Sequence, residues 1–209
     1  MLFIGMSVVS FAQMTEGKIS YSMEFSSDNP DMAMGIAMMQ GSKMDMHFAP
    51  GKSRTEVSMG SLGTMTTISD EKTKKVLSLM NMMGQKTAIE STTDVKPEDV
   101  ANYEVEITNE TKEIMGYKCT KALMTTEDGT IMTVWFTKDI VATTKGQTYY
   151  NSQMPGFPMA FNVNQGGMNI QMTVTGIEKK APAKSLFETK VPDGYTVQSM
   201  EDLKKSMGQ

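Results

Sequence analysis

The chain has 209 residues, 39% hydrophobic and 21% charged, with a formal net charge of −4. This suits one medium domain and excludes a disordered chain or a multi-span membrane protein. Arg54 is the one arginine, so the basic stripe that a nucleic-acid partner requires is missing. Cys119 and His47 are likewise single, which excludes an internal disulfide, a His/Cys zinc set and a multi-His metal site.

Residues 1–12 open the chain with an uncharged apolar run ending in Ser10-Phe11-Ala12, the small-x-small pattern of a signal-peptidase site. A signal peptide over 1–12 is expected, with residues 13–209 forming a single β-rich binding domain that is periplasmic or secreted. The run is shorter than the ~20 apolar residues of a bilayer span, so no transmembrane anchor is expected.

From Glu16 the pattern is period-two alternation broken by turn residues, the mark of strands with one buried face. Ile19, Tyr21, Met23 and Phe25 alternate with polar residues; Met44, Met46 and Phe48 do the same, and Thr55, Val57 and Met59 follow after Pro50-Gly51. Between the first two runs, Asn29-Pro30 reads as an N-cap and first helical position, with Gly41 as the stop. Strands are predicted over 63–69, 74–82 and 85–91, and a short helical turn over 97–102. Lys118–Thr126 and Thr130–Phe136 flank Asp128-Gly129, the strongest hairpin signal in the chain. Ile131, Met132, Val134, Trp135 and Phe136 are apolar on both faces, which predicts a central strand covered on both sides. Met168, Ile170, Met172 and Val174 alternate with Asn169, Gln171 and Thr173 after Gly166-Gly167. A last helix is predicted from Ser199, with Met200, Leu203 and Met207 on one face.

No nucleophile elbow, P-loop or dinucleotide fingerprint occurs, and His47 lies on the polar side of its strand, so neither an enzyme nor a cofactor is expected. Methionine is the anomaly, 24 residues in all. Three readings follow: core filler, the wall of an adaptable apolar cavity, or soft thioether ligands for Cu(I), given the Met-x-Met spacing at 32/34 and 44/46. The inward placement of Met23, Met44, Met46, Met59, Met168 and Met172 suits a core or cavity, whereas copper handling calls for accessible methionines. The candidate ligand-binding residues are Met23, Met44, Met46, Phe48, Trp135, Ile170 and Met172.

Thr111–Lys121, with Lys112, Ile114, Gly116-Tyr117, Cys119 and Lys121, is similar to a K-x-I-x-G-Y-x-C-x-K stretch of an uncharacterised family of exported bacterial proteins. Met154-Pro155-Gly156-Phe157-Pro158-Met159 and the closing Phe187–Tyr195, with Val191-Pro192-Asp193-Gly194-Tyr195, resemble further segments of it. The resemblance implies a distant relation to periplasmic outer-membrane lipoprotein carriers, and so a half-barrel of antiparallel strands closed by helices over an apolar cavity. The expected fold is therefore α+β, a curved, mostly antiparallel sheet with two or three short helices. The expected function is non-enzymatic binding of a hydrophobic small molecule or lipid. The alternatives are a Cu(I)-binding metalloprotein and an interaction protein without a small ligand.

Overall fold

The structure, a computed structural model, describes residues 13–94, 103–142, 154 and 156–198. Among them, twelve strands form one sheet: β1 (Gly17–Ser26), β2 (Lys43–Ala49), β3 (Lys52–Ser58), β4 (Gly63–Asp70), β5 (Lys75–Met82), β6 (Gln85–Thr92), β7 (Tyr103–Ile114), β8 (Tyr117–Thr126), β9 (Ile131–Thr137), β10 (Phe157–Gln165), β11 (Met168–Glu178) and β12 (Thr196–Gln198). Their order is β12-β6-β5-β4-β3-β2-β1-β11-β10-β9-β8-β7. Two antiparallel meanders, β1–β6 and β7–β11, join where β1 pairs with β11. Strand β12 adds to β6 in parallel, and Met14 makes an isolated parallel bridge to Ile140.

This is the expected open, curved antiparallel sheet. Register irregularities at Ser20/Tyr21, Pro158/Ala160 and Ile107/Thr111 help to bend it, because an extra residue on one strand increases local twist. Met83-Gly84, Met115-Gly116 and Gly166-Gly167 all take positive φ at both turn positions, as tight two-residue hairpins require. The K-x-I-x-G-Y-x-C-x-K stretch is thus a hairpin: the end of β7, the Met115-Gly116 turn and the start of β8, with Lys112 opposite Cys119.

Helix is sparse. Asn29 caps a 3-10 turn at Pro30–Met32 by accepting a hydrogen bond from the Asp31 N–H, and helix α1 (Ala33–Met38) continues from it. Gly41, at φ +73°, ends the segment as expected. The predicted turn over 97–102 and the helix from Ser199 lie outside the described residues, as does the signal peptide over 1–12. Strand β9 departs from its prediction in one respect, standing third from the β7 edge and not centrally. Val134 and Phe136 are buried on one of its sides, and Trp135 packs against the core on the other.

The main core gathers Met14, Ile19, Tyr21, Met46, Phe48, Phe157, Met159, Met172 and Val174, so both meanders contribute to it. A second cluster, Ile68, Leu77, Leu79 and Ala88, lies on β4–β6 and is covered by Val191 and Tyr195. Here the closing Phe187–Tyr195 segment acts as a strap. A 3-10 turn at Lys184–Phe187 buries Phe187, and the Leu186 carbonyl accepts a hydrogen bond from Arg54 Nη1 at 3.3 Å. No helix among the described residues is long and apolar enough to cross a membrane.

Candidate methionine-lined binding face

The register places six of the seven candidate ligand-binding residues on one face. Directly opposed residues in a ladder share a side of the sheet. One such row runs Val174–Tyr21–Met44–Val57–Met65–Met80–Thr87 across seven adjacent strands. A neighbouring row runs Ile177–Ile19–Met46–Thr55–Thr67–Ser78–Ile89. Met23 faces Met172 and Phe25 faces Ile170 on the same side, and Phe48 lies two residues beyond Met46. Trp135 packs against the same core cluster but points to the other side of its strand. Met172 opposes Phe161 and Phe161 opposes Val134, so the next residue of β9 points to the other side. The Lys112 ammonium sits 4.3 Å above the Trp135 ring, a cation–π contact.

The six also divide by packing. Met46 (3% exposed), Phe48 (0%) and Met172 (4%) are enclosed in the core. Met23, Met44 and Ile170 are only half-buried. Met65 and Met80, which the alternation did not single out, are half-buried in the same row as Met44. Met65 stands between Thr64 and Thr66, whereas Met80 follows the buried Leu79, so no clean alternation marks the pair in the sequence.

At the end of the sheet where β1 leads into the helical segment, a cleft of about 280 Å³ opens between β1 and α1, lined by Met23, Glu24, Phe25, Ile36, Met39, Gln40 and Gly41. A larger cleft of about 430 Å³ lies at the opposite end, lined by Gln13, Lys138, Ile140, Val141, Ala142, Met154 and Gly156. It carries no aromatic side chain and is not continuous with the methionine row, so the smaller cleft is the better candidate.

The other face of β1–β3 is polar. Lys18 lies 3.4 Å from Asp45 and 3.8 Å from Glu178, the Ser20 hydroxyl donates to Asp45, and Arg54 pairs with Glu56. Burial acts to raise the Asp45 carboxyl, but the Ser20 hydrogen bond and the Lys18 charge outweigh it and hold the pKa below the usual carboxylate value. Burial also dominates at His47 and lowers its pKa, against the pull of Glu56, so the imidazole is neutral near pH 7. The imidazole is half-buried among charges on the polar side of its strand. Among the described residues no three His, Cys, Asp or Glu side chains are grouped as a metal site.

Cys119 is fully buried, and burial pushes its thiol up to about 11 from 9.0. Two pH units mean about a hundredfold smaller thiolate fraction, and the thiolate is the reactive form. Native protein is therefore expected to react with a disulfide thiol reagent only after unfolding. Rapid native labelling at pH 8, at the rate of the denatured chain, is the result that would contradict a sealed thiol.

Comparison with known proteins bears on the fold and the family. Two crystal forms of PNGF-II superpose on this chain with TM-scores of 0.55 and 0.56 at 16% and 18% identity, covering 91% and 95% of it. They match over only 32% and 34% of their own length, so the chain spans about a third of PNGF-II. An uncharacterised conserved protein from Thermus thermophilus superposes with a TM-score of 0.52 at 11% identity, covering 89% of this chain and 91% of that one. At these identities the likeness concerns the fold alone. No curated protein matches the chain in sequence. The family model described as N-glycanase peptide, N-terminal domain, matches residues 56–199, from strand β3 through β12 and well over half of the chain, and the chain belongs to that family.

Proposed function

We propose that this chain is a non-enzymatic binding domain that holds a hydrophobic ligand, a lipid or acyl chain, against the methionine face of its sheet. The observation that carries the reading is the half-buried row Met44–Met65–Met80, which continues past Tyr21 toward Met23 and the cleft under α1. A packed core favours side chains with well-defined rotamers, whereas unbranched thioethers re-pack around guests of different shape. Each methylene of a guest moved from water onto such a surface contributes about 0.8 kcal/mol. The cleft is slightly smaller than the ~300 Å³ at which small-molecule pockets begin. It suits the end of one chain, with the remainder lying along the row. On this reading residues 1–12 are a leader, residues 13–209 are one domain, and the ligand is met outside the cytoplasm. The glycan-releasing chemistry in the family's description is not carried over, because the chain spans only about a third of PNGF-II.

Uptake of a fluorescent fatty acid by the full chain tests the proposal. The wild type is expected to bind it with saturation. Met44→Gln/Met80→Gln is expected to weaken binding at least tenfold with an unchanged far-UV circular dichroism spectrum. The proposal is overturned if the wild type takes up no probe and native mass spectrometry of protein from its own cells shows no bound lipid. It is also overturned if the folded double variant binds as the wild type does.

A further inference from the structure

A second group of methionines lies at the same end of the sheet as α1, and neither the core nor the proposed binding face accounts for it. Met34 and Met83 are 78% and 81% exposed, and Met38 and Met59 are half-buried. They come from three segments that the backbone ties into one rim. The Ser61 N–H donates to the Met38 carbonyl at 2.9 Å, joining the 59–62 turn to the end of α1. The Leu62 N–H closes that turn on the Met59 carbonyl at 3.0 Å, and the Met83 N–H donates to the Leu62 carbonyl at 3.1 Å. Strands β4 and β5 are neighbours, and paired strands lie about 4.8 Å apart. The turn before β4 and the tip after β5 are therefore within a methionine's reach of each other.

Met83 also stands where a methionine is not favoured. Its φ of 51° is left-handed, a conformation that suits glycine or asparagine, and its exposed side chain gains little from packing in return. Exposed methionine in place of leucine or phenylalanine adds one chemical property, a soft neutral sulfur.

We infer that this rim is a binding site for a soft monovalent metal ion, Cu(I), with thioether ligands drawn from Met34, Met38, Met59 and Met83. Thioethers select Cu(I) over hard and borderline divalent cations. They carry no proton near neutral pH, so uptake through them releases none, unlike binding by thiols or imidazoles. The exposure of Met34 and Met83 is what a metal-handling reading demands and what the enclosed Met46 and Met172 do not offer. The site is separate from the fatty-acid reading, since it depends on sulfur and not on apolar area.

Ag(I), a redox-stable stand-in for Cu(I), tests the inference on the full chain with methionine methyl groups labelled for NMR. One equivalent is expected to saturate, with shifts confined to the methyl groups of the four rim residues. Met34→Leu/Met38→Leu/Met83→Leu keeps the apolar area and removes three sulfurs. It is expected to lower the affinity at least tenfold while remaining folded. Cys119→Ala is expected to bind as the wild type does, since that thiol is buried. Three outcomes overturn the proposal: no saturable binding, shifts spread over all the methionines, or a folded triple-leucine variant with wild-type affinity. Wild-type affinity in the leucine variant would mean that Ag(I) is held by groups other than the sulfurs of the rim.

Discussion

Phe48→Ala is expected to lower the unfolding free energy by about 3–5 kcal/mol, the range for truncating a fully packed phenylalanine. Phe48 has no exposed surface, and its ring stacks on Phe157 with centroids 6.3 Å apart. Phe157 also meets Tyr21 at 6.5 Å, and the Tyr21 hydroxyl donates to the Pro158 carbonyl at 2.8 Å. These contacts matter beyond their area, because Phe48 and Tyr21 belong to the first meander and Phe157 to the second. Losing the ring opens a cavity at the seam between them, where ladder hydrogen bonds on either side hold the walls apart. Aromatic pairs of this kind add about 0.5–1.5 kcal/mol to the area term. Denaturant unfolding measures the effect as a shift of midpoint at constant m. A loss below about 1.5 kcal/mol would mean that the seam collapses around the gap and that the aromatic contacts are not what joins the meanders.

Most of the first meander was legible because its strands keep one side buried. In β1 and β3 the buried positions fall on every second residue, and alternation is all that a sequence needs to show for such a strand. Strand β7 was missed for the opposite reason. It stands at the sheet edge with nearly all of its twelve residues exposed or half-exposed, so no apolar face marks it. Strand β10 was blurred by its irregular start: Phe157, Met159 and Ala160 are all buried around the register shift. The pairing of β1 with β11 leaves no local signal either. Ile19 and Ile177 meet across 158 positions of sequence, and only the closed arrangement of both meanders brings them together.

The candidate site was legible in kind and not in detail. Met44 and Met46 share a strand and a face, two residues apart, yet Met46 is enclosed and Met44 half-open. What separates them is the material packed above each, and Met14, Phe157 and Met159 reach the core from remote parts of the chain. The same limit applies to the thioethers. Met-x-Met spacing at 32/34 and 44/46 is identical in sequence, but one pair lies in a helical segment at the rim and the other along a strand. The closing Phe187–Tyr195 segment is recognisable as a motif, but its role is not. That role, to cover Ile68, Leu77, Leu79 and Ala88, depends on a partner face more than 100 residues earlier.

Gly60→Ala is expected to undock helix α1 and disturb the cleft and the methionine rim together. Gly60 holds φ at +56°, and a left-handed non-glycine residue costs about 1–3 kcal/mol by conformation alone. A Cβ there would also lie 2.3 Å from the Met38 carbonyl oxygen and 2.9 Å from that of Gln40. Both are backbone atoms, so no flexible side chain can swing aside, and the turn must lift from the helix. That movement breaks the Ser61 N–H bond to Met38. The helix has little else to hold it, with six residues and none of them buried. Isolated helices shorter than ~12–15 residues are marginal in water, so α1 depends on this docking. The loss in global stability is capped by the free energy of undocking, since the chain escapes the clash by releasing the segment. Hydrogen exchange therefore reports the effect better than a melting curve. Amides in 33–41 are expected to exchange at the rate of an open segment, while those of β1 and β11 keep wild-type protection. Unchanged exchange in 33–41, with stability within about 0.5 kcal/mol of wild type, would show that the helix is held by something other than the turn at Gly60.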